Sequence, residues 1–424
     1  MAKTFREWDV NQGWLLPPSV HELVPPNHLS HFVRDTVRTD LDLSAILNTY
    51  QEERGYPPYH PVMMTALLLY AYTQGVFSSR RIARACEERV DFMAVTALQK
   101  PDFRTVNDFR RRHLKALGEL FVQVLKLCRR AGLAKLGHVA LDGTKIKANA
   151  SKHKAMSYAR MQSAEKELAD TVAGWLKRAE AEDEAEDREF GEDRRGDELP
   201  DWVKNKQERL ARIRAAKQAL EEEAKREKEG EGGGTPPAKS QRNFTDPDSR
   251  IMKTRNGFEQ AYNCQAAVDH AHQIIVAATT TRTQNDNAEL PKLLDAIVAN
   301  TGEQADEVSA DSGYCSEDNL KNLNRRRVRG YIATGRQRHG DSSAIDKDGK
   351  KLGPRAARMN ARLRQGGWRS RYRFRKQTVE PVFGQIKEAM GFRRFLLRGY
   401  EKVSAEWLMV CAAFDLRKLA KAMA

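Results

Sequence analysis

The spacing of apolar residues divides the chain into a helical first third and a mixed remainder. After Pro61, Met64, Leu67, Leu68 and Tyr72 recur at helical spacing, and Pro61 stands where its missing N–H costs a helix nothing. Gly75 ends that helix. Ser78 and Ser79 cap a second, SRRIARACEERV, which turns Ile82 and Ala85 inward and its arginines outward. A third short helix is expected at residues 92–98 and is broken by Pro101. Thr105 then opens a long helix with Asp108 in capping-box position. Its stripe is Val106, Phe109, Leu117, Leu120, Phe121 and Val124, and Gly132 terminates it. A short helix is also expected within residues 35–50, after an irregular arm in which Trp8, Trp14, Leu15 and Leu16 alternate with prolines.

From residue 137 the period changes. GHVALDGTKIKANA reads as a strand: Val139, Ala140 and Leu141 form a short apolar run, Asp142 follows at once, and residues 145–147 resume an extended, basic pattern. Residues 152–242 are charge-dense, with two long helices at roughly 155–189 and 201–228 separated by Gly191, Gly196 and Pro200. Their apolar residues are few, so this segment suits a helical hairpin inserted into the domain that the first strand begins. Residues 243–253, NFTDPDSRIMK, read as turn chemistry. Strands are expected at 258–268 and, across a turn at 269–272, at 273–281, which is rich in β-branched residues. A helix at 288–299, a strand at 308–310 ending at Asp311, a helix near Ser316 and a strand at 328–334 follow. Residues 335–370 read as a polar, basic loop. Residues 377–390 are helical, and Pro381 puts Glu380 at the entrance of that helix. The last helix covers residues 404–423. This order predicts an α/β fold with a mixed sheet, three adjacent antiparallel strands continued by parallel crossovers.

Composition narrows the class of partner. A chain of 424 residues with a net charge of +15 and a pI near 9.5 favours a polyanion, above all nucleic acid. The longest apolar run, residues 62–72, is too short to span a bilayer, and the first ten residues hold no apolar signal core. A cytoplasmic protein without a membrane partner is therefore expected. Five scattered cysteines make no CxxC pair, which argues against a zinc finger or a disulfide framework. His28 and His31 read as structural. Arg80, Arg81 and Arg84, with Arg110, Arg111 and Arg112, make the helical module either a helix-turn-helix-like DNA binder or a bundle with solvated arginines.

Three carboxylates occupy special places. Asp142 alone reads as a turn residue at a strand end. In a sheet of the expected order, however, the first and fourth strands are neighbours, which sets Asp142 beside Asp311, and Glu380 can reach the same edge. Carboxylates crowded in this way call for a cation, and oxygen-only donors favour Mg²⁺ or Mn²⁺. Two such ions about 3.5–4 Å apart suit in-line phosphoryl displacement. Residues 325–329, Arg336, Arg338, Arg373, Lys376, Lys387, Arg393, Arg394 and Arg398 add a cationic surface for phosphates. Trp368 among them is either a base-stacking or a packing residue.

The ordered set of LDGTKIKANAS, TDPDSRIMK, ADSGYCS and VEPVFGQIKEAMGFRRFLLRG, behind the helical module, resembles the DDE transposases of bacterial insertion sequences. The resemblance covers most of the chain. It implies an RNase H-like catalytic domain at 135–424 interrupted at 152–242, and an N-terminal DNA-binding module at 1–134. It further implies Asp142, Asp311 and Glu380 as a catalytic, metal-binding triad for two Mg²⁺ or Mn²⁺ ions. The partners it implies are terminal inverted repeats and target DNA, with a homodimer on paired ends. Relatives carry a signature spaced Y-x2-R-x3-E-x6-K. Glu380 and Lys387 match it, while strict spacing puts Arg373 at the Tyr position and Lys376 at the Arg position, with Tyr372 one residue off. Asp246 and Asp248 read as turn-formers and Asp286 as a helix N-cap. The alternatives are a nuclease of the same fold that does not join, and a non-catalytic DNA-binding derivative.

Overall fold

Among the described residues seven helices precede the first strand: α1 (Leu29–Thr39), α2 (Ser44–Leu47), α3 (Pro61–Thr73), α4 (Ser79–Glu88), α5 (Val90–Thr96), α6 (Phe103–Arg112) and α7 (Leu114–Arg130). The computed structural model describes residues 19–50, 58–190, 201–227, 235–254, 257–335 and 352–423. The Trp8–Trp14 arm, Arg336, Arg338 and the side chain of Trp368 lie outside the described residues. From Met64 to Thr73, α3 is buried all round, so it forms the axis on which α1, α5 and α6 pack. The long helix expected from Thr105 is divided. Asp102 caps α6 by accepting the Thr105 N–H at 2.7 Å, and the helix breaks at His113 before α7. Asp102 reaches the third N–H of the first turn, so Asp108 is not needed as a cap and lies exposed beside Arg111. Arg80, Arg81 and Arg84 are exposed, but Arg110 is buried and donates to the Phe77 carbonyl at 2.9 Å.

β1 (His138–Lys147) starts the sheet. The chain leaves it through β2 (Ala155–Ser157), runs along α8 (Tyr158–Phe190), returns along α9 (Asp201–Glu227) and closes the neck with β3 (Gln241–Asn243), antiparallel to β2. Tyr158, Met161, Ile213 and Leu220 give this hairpin a small core of its own. Residues 243–253 are more than a turn, because β4 (Arg250–Thr254) pairs with the first residues of β5 (Gly257–Asp269). There β5 outruns β1 and its backbone groups need another partner. β6 (Ile275–Thr281), α10 (Glu289–Thr301), β7 (Glu307–Ala310), α11 (Glu317–Arg326) and β8 (Arg329–Ile332) follow. The sheet order is β4-β5-β1-β7-β8, with β6 also on β5; β1 is antiparallel to β5 and parallel to β7, and β7 is parallel to β8. This is an α/β fold with a mixed sheet, consistent with an RNase H-like fold.

The polar stretch after β8 is not loop throughout. It contains α12 (Pro354–Gly366), which opens on Pro354 and buries Ala356, Met359 and Asn360. α13 (Phe374–Gly384) continues into a π turn (Gln385–Ala389), and α14 (Tyr400–Met423) closes the described chain. α13 starts earlier than expected because Phe374 stacks on His270, centroids 4.0 Å apart, and His270 Nδ1 bonds Thr378 Oγ1 at 2.7 Å. Glu380 therefore stands in the second turn of α13, not at its entrance. Pro381 leaves the Gln377 carbonyl without its helical donor, and Gln273 Nε2 supplies one at 3.0 Å.

α14 packs along α7, α3 and β6, and one apolar cluster runs from Val33 through the sheet to Leu419. At Gly118 of α7 a Cβ would stand 3.3 Å from the Ala405 Cα, so the two helices meet closely there. Asp246 accepts from the Tyr262 hydroxyl at 2.8 Å and the Gly399 N–H at 3.1 Å, and Asp248 accepts the Tyr400 N–H at 2.9 Å. These two carboxylates tie down the start of α14 besides shaping their own turn. The turn after α3 touches the end of the π turn: Gly75 has φ +71° and lies beneath the Met390 carbonyl. No helix among the described residues is long and apolar enough to cross a membrane.

Candidate active site

β1 and β7 run in parallel with His138 opposite Glu307 and Val139 opposite Val308. That offset (307 − 138 = 169) equals the separation of the two aspartates (311 − 142 = 169), so Asp311, just past the end of β7, is level with Asp142 on the adjacent strand. Neighbouring strands are about 4.8 Å apart. Asp142 Oδ1 accepts the Gly143 N–H at 2.9 Å, and Asp311 Oδ1 accepts the Gly313 N–H at 2.9 Å at the start of a 3₁₀ turn (Ser312–Tyr314). Burial pushes the Asp142 carboxyl up to about 7; the nearby Asp311 and Asp286 charges add to this, and Arg375 opposes it. Burial likewise raises Asp311, with Asp286 adding to the effect.

Glu380 joins Asp142 through Arg375. The Arg375 guanidinium donates from Nη1 to Asp142 Oδ2 and from Nη2 to Glu380 Oε1, both at 2.9 Å. Arg375 and Asp142 are nearly enclosed, with 12% and 16% of their side chains exposed, whereas Glu380 is 46% exposed. Tyr372 lies against the same group, and its phenol is raised chiefly by burial, with Arg375 as a hydrogen-bond partner. Tyr372 and Arg375 thus face the carboxylates. Arg373 and Lys376 are exposed, and the Arg373 guanidinium lies over the Phe374 ring at 5.4 Å. The signal for Arg375 is in the sequence: Y-x2-R read from Tyr372 gives Arg375, with one residue more before Glu380 than strict spacing allows.

Lys387, in the π turn, donates to Thr144 Oγ1 and to the Lys145 carbonyl, beside Asp142 on β1. Residues 393–395 extend the edge of β1: the Lys147 carbonyl accepts the Phe395 N–H at 2.9 Å, and the Arg393 carbonyl accepts the Lys147 N–H at 3.3 Å. Arg393 reaches Glu388, and Arg394 Nη2 donates to Asn149 Oδ1 at 2.7 Å. Both arginines are exposed and form a basic ridge leading from the carboxylates along β1.

Asp286 is not a helix cap. The N-cap of α10 is Ala288, and the Asp286 side chain turns into the site, where Oδ1 accepts from Asn263 Nδ2 at 2.6 Å and Gln265 Nε2 at 2.7 Å. Lys145 Nζ stands 3.8 Å from its Oδ2.

Among the described residues no group of three or more His, Cys, Asp or Glu side chains stands ready-made to hold a metal ion. The residues present nevertheless fit a hard divalent cation. All donors are oxygens, and four carboxyl groups, Asp142, Asp286, Asp311 and Glu380, gather around Arg375 and Lys145.

Residues 203–416, half of the chain, match the family model described as transposase DDE domain, and residues 18–112 match the one described as transposase domain (DUF772). Asp286, Asp311 and Glu380 fall inside the first match, while β1 with Asp142 lies between the two. No curated protein and no solved structure matches the chain.

Proposed function

Because the chain belongs to the DDE transposase family of insertion sequences, we propose that it binds the terminal inverted repeats of its element, cleaves a phosphodiester there and joins the freed 3′-hydroxyl to target DNA. The observation that carries this reading is the alignment of Asp142 on β1 with Asp311 just past the end of the parallel neighbour β7, with Glu380 linked to Asp142 through Arg375. Asp142, Asp311 and Glu380 would hold Mg²⁺ or Mn²⁺, as two ions. When bound, these supply Lewis acidity at the phosphate and lower the pKa of the attacking hydroxyl. Arg375 keeps two of the carboxylates oriented, and its planar fork also matches a phosphate. Lys387, Arg393 and Arg394, with the exposed Arg373 and Lys376, neutralise the DNA backbone. Joining two ends requires them to be held together, so the active form is a homodimer on DNA.

Asp142→Asn, Asp311→Asn and Glu380→Gln should each abolish Mg²⁺-dependent nicking of end DNA while the gel shift of the same DNA persists. Normal nicking by one of these variants would overturn the role assigned to that residue. Joining is tested separately, with pre-cleaved ends and a target plasmid.

A further inference from the structure

Asp286 is built into the site in a way that a hydrogen-bond acceptor alone does not require. Both donors from β5 go to one oxygen, Oδ1. Gln265 is itself fixed, since its Oε1 accepts the hydroxyl of the buried Tyr314, three residues after Asp311. The other oxygen, Oδ2, has only Lys145, at 3.8 Å and beyond hydrogen-bond reach. That oxygen faces Asp311. A Cβ placed on Gly313 would stand 3.2 Å from Asp286 Oδ2 and 3.0 Å from Asp311 Oδ1, so the two oxygens flank one small space that the glycine leaves open. On the other side, a Cβ on Gly143, next to Asp142 in the chain, would meet Gln265 Nε2 first and stand 2.9 Å from Asp286 Oδ1.

A second observation lies beside the same carboxylate, on its Oδ1 side. Asn263 is fully buried, and its Oδ1 has no hydrogen-bond partner. It too is aimed at Gly143, 3.0 Å from the same Cβ position. A buried amide oxygen without a donor, beside a cluster of carboxyl groups, is suited to a positive charge. We propose that Asp286 is a fourth oxygen donor to the divalent cation of this site, oriented by Asn263 and Gln265. The inference rests on the reading that Asp142 and Asp311 hold such an ion.

The test measures Mn²⁺ affinity of the full chain without DNA, from the electron paramagnetic resonance signal of free Mn²⁺. Asn at position 286 keeps an acceptor for Asn263 and Gln265 and removes only the charge. Asp286→Asn should therefore weaken Mn²⁺ binding at least tenfold and leave the metal-free gel shift unchanged, and Asp286→Glu should recover part of the affinity. Wild-type affinity in Asp286→Asn, with Asp142→Asn and Asp311→Asn both impaired, overturns the role of Asp286 and leaves the catalytic reading standing. Wild-type affinity in all three overturns both. A readout free of variants is Fe²⁺-driven cleavage of the wild-type backbone by hydroxyl radical. Cuts are expected near residues 142, 286 and 311, and cuts near 142 and 311 without one near 286 overturn the proposal.

Discussion

Asp142 gives a prediction that runs against the usual effect of altering a buried residue: Asp142→Asn should stabilise the metal-free protein at alkaline pH. An aspartate in the unfolded chain ionises near 3.8, whereas burial holds Asp142 protonated until about 7. Between these values the unfolded state has lost the proton and the folded state has kept it, so stability falls as pH rises. The loss begins above the unfolded pKa and is complete above the folded one. Each pH unit is worth 1.36 kcal/mol, so the ionised Asp142 costs about 4 kcal/mol at pH 8. Arg375 is already counted in that figure as a partial compensation. Asparagine has the same shape and cannot ionise, which removes the cost. Guanidinium melts at pH 5 and pH 8 in chelator should show the wild type losing more stability than Asp142→Asn over that interval, by roughly 2–3 kcal/mol. The comparison isolates Asp142 from Glu406, another buried carboxyl pushed up to about 7, because both proteins carry it. Mn²⁺ should then stabilise the wild type and not the variant. Equal pH dependence of the two proteins would refute the argument.

Two further perturbations probe the frame around the site. Gly75→Ala forces a side chain into a left-handed turn, worth about 1–2 kcal/mol, and into the Met390 carbonyl at the end of the π turn that carries Lys387. It should lower the melting temperature and nicking together, and an unchanged melt would show that this contact is slack. Replacing α8 and α9 by a short turn between Ser157 and Gln241 keeps the β2–β3 neck and removes a hairpin with its own core. The main melting transition should stay in place while complexes of two paired ends are lost, and their persistence would exclude a pairing role for the hairpin.

That Asp142 and Asp311 stand at neighbouring strands was legible because sheet order follows from the sequence of strands and crossovers, and that order alone makes the first and fourth strands neighbours. The α/β class and the two long helices after β1 were legible as well, since both show as changes of period. Asp286 was not, because an Asp ahead of a helix has the same local signature whether it caps the helix or turns away. What decides it is the pair Asn263 and Gln265, two buried polar residues two apart on one face of β5, and their partner lies some twenty residues away. Arg375 was hidden by a one-residue shift that a long side chain absorbs. The start of α13 was hidden because the compensation for Pro381 comes from Gln273, far away in sequence. α12 was missed because its polar, arginine-rich composition masks a short buried stripe.

The position of α14 sets the order in which the molecule can be completed during synthesis. α7 ends at residue 130 and α14 starts at residue 400, so 269 residues (131–399) are added between the two helices that pack together. At about 5–20 residues per second, this takes roughly 15–50 s. For that time the faces of α3 and α7 that α14 covers stay open on the ribosome. The helical module therefore reaches its finished packing only when α14 arrives, after every strand of the mixed sheet has been made.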